Sequence, residues 1–211
     1  GKEIRDREDS DITLTTKDET TDKTETTGET KPTSNTVTID AKEGNTANVT
    51  LKNVDIRVDT TEAKSGAIEI KGDGNTNLEL NGNNTVLVEN GWSEEHAAIE
   101  KADKYGTGTL TIKDDVNDNG TAKTGTDEDT TGKLLAGGYH ESAAIGGGAG
   151  DLGDTSNITI TGGEITAIGG NDGGSGIGGG VIGIGNVIIR GNAQIGNAQI
   201  GNATGGEEGA G

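Results

Sequence analysis

The sequence predicts an all-β fold, a right-handed parallel β-helix with about 30 residues and three short strands per coil. Three observations predict it. Short alternating stretches such as "TVTI", "NVTL", "GAIEI", "NLEL", "TVLV", "GTLTI", "NITIT" and "EITAI" recur from Thr36 onward, each bounded by Gly, Asn or Asp as strands bounded by turns are. A core of two small residues followed by Ile recurs at Ile68, Ile99, Ile145 and Ile177, in steps of 31, 46 and 32 residues. The chain also has too little apolar bulk for a conventional two-layer core. Its 211 residues include 20 Ile, 9 Leu, 9 Val and no Phe or Met, against a formal charge of −19.

The first strand of each coil is the small-small-Ile segment. A second follows 10 to 13 residues later at Leu78, Leu110, Ile158 and Val187, and a third about eight residues after that at Val86, Ile165 and Ile195. Ile39, Val49 and Ile56 form an earlier set of the same kind. Each strand should pair with its counterpart one coil away, at roughly 4.8 Å. The crossover rule for parallel strands gives the coil its right hand. A solenoid also explains the thin core, because a few isoleucines stacked per coil suffice, and a fully buried Ile contributes roughly 1.5–3 kcal/mol.

Residues 1–35, rich in Thr, Lys and acids and holding the only proline, Pro32, read as a linker or N-terminal cap, with "DITLTT" as a candidate first strand. The β-helix is expected over residues 36–203, with an acidic loop inserted at about 114–132 to account for the 46-residue step. Residues 204–211 read as a frayed tail. Without an initiator Met, the chain is expected to be part of a larger protein.

The charge opposes nucleic acid and anionic membranes as partners, because both require basic patches, and no apolar run is long enough to span a bilayer. Absence of Cys excludes disulfides and cysteine-ligated metals.

The segments "AAIGGG", "NITITGGEITAIGG" and "GSGIGGG" resemble the glycine-rich "GIGGG" repeats of large surface proteins of Gram-positive gut bacteria, described as adhesin-like or as containing carbohydrate-binding domains. "TVTIDAKEGNTANVTLKNVDI" resembles the segment that precedes such repeats. The resemblance covers roughly residues 36–192, and the "IGNAQIGNAQIGNA" tail and the acidic insertion depart from it. It implies a secreted or cell-wall-attached, non-catalytic module of a larger protein, with a glycan or a host or cell-surface molecule as its partner.

For glycan binding the candidates are Trp92 and Tyr139, seven and six residues before Ile99 and Ile145, with His96 and His140 in the same connections. Two of the three aromatics in the chain would thus share one corner, joining a flat ring face to polar groups. The alternative is that they cap the core at an open bend.

No cofactor is required by the pattern, and calcium is the metal it admits. Asp115, Asn117 and Asn119 followed by Gly120 reproduce the start of a calcium loop. The twelfth position is Thr126 where such loops carry Glu, leaving Asp127 or Glu128 as the substitute ligand. The histidines with Glu94, Glu95 and Glu141 lack the spacing of a zinc motif.

A polysaccharide-processing enzyme is the alternative class, with Asp151, Asp154 and Asp172 as its carboxylates. Arg190 is the only Arg beyond residue 57, leaving little to neutralise an anionic substrate. The glycine runs lack the Lys-Ser/Thr of a phosphate loop. Outward threonines at Thr109/Thr111 and Thr159/Thr161 form an ice-binder ladder broken at "NLEL" and "NVII". A third class is a mechanical spacer or filament, because terminal coils carry unpaired strand edges that favour end-to-end self-association.

Overall fold

The computed structural model describes residues 2–5, 11–15, 32–90, 96–117, 121–123, 131–190 and 194–195. They form a parallel β-solenoid with about 31 residues per turn. Sheet A stacks β1 (Lys2–Arg5), β3 (Val37–Asp40), β6 (Ile68–Lys71), β9 (Ile99–Glu100), β12 (Ile145–Gly146) and β15 (Ile177–Gly178). Sheet B stacks β2 (Asp11–Leu14), β4 (Thr46–Lys52), β7 (Asn75–Asn81), β10 (Leu110–Lys113), β13 (Thr155–Ile160) and β16 (Gly185–Ile189). Sheet C stacks β5 (Asp55–Asp59), β8 (Asn83–Asn90), β11 (Lys133–Gly137), β14 (Glu164–Ile168) and β17 (Gln194–Ile195).

The isoleucine column is in register. Ile68 pairs with Ile99, Ile99 with Ile145 and Ile145 with Ile177, and all four are buried. Elsewhere the expected columns hold in part, with Val49 opposite Leu78, Ile158 opposite Leu110 and Val187, Ile56 opposite Val86 and Ile165 opposite Ile195, and three steps slip by two residues. Val37, rather than Ile39, lies opposite Ile68, and Ile39 pairs with Ile70. Leu78 pairs with Ile112, whereas Leu110 pairs with Thr76 below it and Ile158 above. Val86 pairs with Ala136, and Ile165 with Leu134. The reason is the two-residue period of a strand: a shift of two keeps every side chain on its face, so alternation fixes the face without fixing the partner.

β1 and β2 add a rung to sheets A and B within the segment read as linker or cap, and "DITL" is β2. Residues 114–132 lie between β10 and β11. β11, "KLLAG", is the third strand of that coil, and the sequence reading did not locate it. One helical turn, α1 (Thr60–Ala63), is capped at its start by Asp59, whose carboxylate accepts from Thr61 N, and ends at Lys64 with φ 53°. That side-chain cap satisfies one of the free amides of the turn.

Two features hold adjacent coils together. Gly146 has φ 134° and Gly178 φ 137°, and a Cβ on Gly146 would run into the carbonyl of Gly178, so only glycine fits this stacked corner. Asn84 is buried in line with Leu134 and Ile165. Its Oδ1 accepts from Val54 N at 3.0 Å, and its Nδ2 donates to Asn81 O at 3.2 Å and Lys133 O at 3.1 Å. One amide thereby satisfies backbone groups on three successive coils, which a core of aliphatic side chains leaves to turns and side chains.

Candidate functional site

Because strand side chains alternate, each sheet has an outer face, and the three faces differ. That of sheet A is covered. Its outward column runs Thr38, Glu69, Glu100, Gly146, Gly178, and both glutamates are buried. Glu100 accepts from Ala97 N at 2.9 Å and lies 3.0 Å from Nδ1 of His96. Glu69 lies 2.9 Å from Nζ of Lys71, which sits 4.4 Å from the centre of the Tyr105 ring. The charges of both carboxylates act on the Tyr105 phenol. Burial pushes the Glu100 carboxyl above its ordinary range, opposed by the hydrogen bond and charge of His96. Burial, followed by the two carboxylates, pushes the Tyr105 phenol up as well.

This arrangement turns His96 inward, with its ring engaged by Glu100, and not toward an exposed corner. Tyr139 is half-buried and packs on the core, while the Ser142 hydroxyl accepts from its amide and donates to its carbonyl. His140, at φ 54°, places Nε2 3.1 Å from the Asp172 carboxylate. Trp92, Glu94 and Glu95 lie outside the described residues, so His96, Tyr139 and His140 are what the structure describes of the four glycan-binding candidates.

From β4 to β13 the outer face of sheet B is polar. Asp11, Asn48, Asn77, Thr111 and Thr159 stand in one register column, with Asn77 Nδ2 donating to Asn48 Oδ1 at 2.8 Å. Toward the inserted segment this face is closed over Glu79, whose Oε1 accepts from Asp115 N and Val116 N, each at 2.7 Å. Burial raises the Glu79 carboxyl, opposed first by the Val116 amide and then by the charge of Lys113.

Of the expected calcium ligands, Asp115 and Asn117 lie among the described residues. Asp115 points its carboxylate to Lys113 at 3.3 Å, whereas Asn117 is buried and donates to the Thr121 hydroxyl at 3.1 Å across a bridge between Val116 and Ala122. Asn119 and Asp127 lie outside the described residues. Among the described residues no group of three or more His, Asp or Glu side chains is arranged to hold a metal ion. The carboxylates considered for catalysis are also engaged singly: Asp151 with Lys104 at 3.4 Å, Asp154 with Ile184 N at 2.8 Å and Asp172 with His140.

Sheet C is different. Its outward columns are Asn83, Lys133, Glu164; then Asp55, Thr85, Leu135, Thr166; then Arg57, Leu87, Gly137, Ile168. Leu87 and Leu135 are half-buried and Ile168 is 47% exposed, so three aliphatic side chains form a shelf on neighbouring rungs. Gly137 leaves the room that the Leu87 side chain occupies. Beside the shelf, where the strands begin, is an open cleft of about 400 Å³ lined by Gly82, Asn83, Thr131, Lys133 and Glu164. Thr131 comes from the end of the inserted segment, beside Gly132, whose amide donates to the Asp114 carboxylate at 3.1 Å; that carboxylate also lies 2.6 Å from Nζ of Lys123.

The sequence reading missed this face. The signal was present in "TVLVE" and "KLLAG", where Leu87 and Leu135 occupy the outward phase that Thr or a charged residue fills in most other strands. No family model matches the chain, and no curated protein or solved structure does.

Proposed function

We propose that this chain is a non-catalytic extracellular module of a bacterial surface protein, which uses the outer face of sheet C to bind a glycan or another cell-surface molecule. The observation that carries the reading is the shelf of Leu87, Leu135 and Ile168 beside a polar cleft. Exposed aliphatic side chains rimmed by polar groups mark interaction sites, and a sugar offers such a site both C–H faces and hydroxyls. The extracellular and bacterial parts rest on the resemblance of the glycine-rich repeats. Engagement of Asp151 by Lys104, Asp154 by the Ile184 amide and Asp172 by His140 supports binding over hydrolysis at those three residues, since hydrolysis needs two carboxyls open to one substrate.

The test is a glycan array with reducing-sugar release measured on the same panel, using the wild type and Leu135→Asp. Binding without products, lost in the variant, is expected. Release of products would establish a polysaccharide-processing enzyme instead.

A spacer or filament is the second reading, favoured by the last described rung. There Ile182 and Ile184 are 68% and 67% exposed, and Ile188 occupies the column held by Thr159 and Thr111 below. Light scattering that shows mass rising with concentration would favour it.

A further inference from the structure

The charge balance of the sheet C cleft bears on which sugars it admits. Lys133 and Glu164 are register partners on adjacent rungs, with Nζ and Oε2 2.8 Å apart and side chains 50% and 42% exposed. Asn83 lies on the other side of Lys133 in the same column. We infer that this cleft is a subsite for an uncharged saccharide unit, held through its hydroxyls by the Asn83 amide, the Thr131 hydroxyl and the Lys133–Glu164 pair. The inference rests on the reading of the sheet C face as a glycan-binding surface.

Three arguments select the uncharged class. An ammonium offers only donors and a carboxylate only acceptors, so the pair sets the two side by side. A sugar hydroxyl both donates and accepts, so a vicinal diol can bridge the pair without parting it. An anionic ligand must instead compete with Glu164 for Lys133 and approach a chain of formal charge −19. A cationic ligand must compete with Lys133 for Glu164. The half-exposed pair is itself worth little to stability, so its atoms are available to a ligand at small cost.

The dimensions agree. The cleft of about 400 Å³ falls within the roughly 300–1,000 Å³ of small-molecule sites. Two residues farther along the same strands, Leu135 and Thr166 follow Lys133 and Glu164 on the outer face and are register partners. A second sugar unit leaving the cleft in the strand direction meets an aliphatic surface and a hydroxyl. Gly82, which lines the cleft, has φ 66°, and a Cβ there would run into the Asn53 side-chain amide.

The experiment is a calorimetric titration of the wild type, Glu164→Gln, Asn83→Ala and Leu135→Asp, with melting curves to confirm folding. The probes are neutral trisaccharides of glucose, galactose, xylose and mannose, and trigalacturonic acid. The wild type should bind at least one neutral trisaccharide and bind trigalacturonic acid more weakly. Asn83→Ala should weaken the neutral ligand roughly tenfold. Glu164→Gln should do the same and, by releasing Lys133, strengthen trigalacturonic acid. Neutral binding unchanged in Asn83→Ala and Glu164→Gln but lost in Leu135→Asp would remove the subsite and leave the sheet C reading standing. A wild-type preference for trigalacturonic acid would overturn the uncharged class. Binding of no probe would overturn the subsite together with the glycan reading of the sheet C face.

Discussion

Ile99 and Ile145 are Cα partners on neighbouring strands although 46 residues separate them, and both are fully buried. The step from Ile68 to Ile99 is 31 residues, so the inserted segment lengthens the coil without moving the column. A solenoid tolerates this because each coil needs contact only with its neighbours, and loop closure costs grow slowly with length.

The column gives the first prediction. Ile145 is stacked between Ile99 and Ile177, so Ile145→Ala should lower stability by about 2–5 kcal/mol. Ile145→Asp places a charge with no partner between two isoleucines and should leave the chain unfolded. Denaturant melts followed by circular dichroism check both. An unchanged midpoint in Ile145→Asp would contradict the register.

Asn84 gives the second. Replacement by Leu matches the residue above it, Leu134, and raises hydrophobicity. It nevertheless removes the acceptor for Val54 N and the donor to Asn81 O and Lys133 O. Asn84→Leu should destabilise by about 1–3 kcal/mol for each buried group left unpaired. A thermal melt in which Asn84→Leu is more stable than the wild type would show that those groups find other partners.

Glu79 provides a coupled pair of variants. In the intact chain, Glu79→Ala leaves the Asp115 and Val116 amides without their acceptor and should cost about 1–3 kcal/mol. With residues 115–131 replaced by a short glycine turn, those amides are gone, and the same substitution should have little effect. Equal losses in the two backgrounds would mean that Glu79 serves the sheet rather than the insertion.

The pH dependence follows from the buried carboxyls. Glu100 and Glu79 titrate above their ordinary value, with burial the largest cause for each. Their contribution is complete below the unfolded carboxylate pKa and is lost as pH rises through the folded value. Asp59 and Asp73 titrate below theirs, chiefly through hydrogen bonds from the Thr61 hydroxyl and the Thr107 amide, so their contribution disappears only as pH falls through those lowered values. The melting temperature should therefore decline as pH rises from the ordinary carboxylate range, about pH 4 to 5, through the raised values, and Glu100→Gln should flatten the decline. A wild-type melting temperature that rises across this interval would reverse the sign.

Much of the fold was legible because its determinants are local and periodic. The spacing of Ile68, Ile99, Ile145 and Ile177 identified four successive rungs of one column. The candidate site was not legible in the same way. His96 and Tyr139 were grouped by position near a corner, yet one faces Glu100 and the other packs on the core. Leu87, Leu135 and Ile168 come from three coils, and no local pattern marks them as one surface.

By itself the sequence determined the repeat, the strand faces and the solenoid class, since each follows from the interval between apolar residues and from glycine at the turns. Only the tertiary structure decided which residue lies opposite which, what covers Glu69, Glu79 and Glu100, and which face of the solenoid stays open. The physical reason is that a two-residue slip conserves the alternation but changes every neighbour, and burial of an outward side chain depends on connections from another coil.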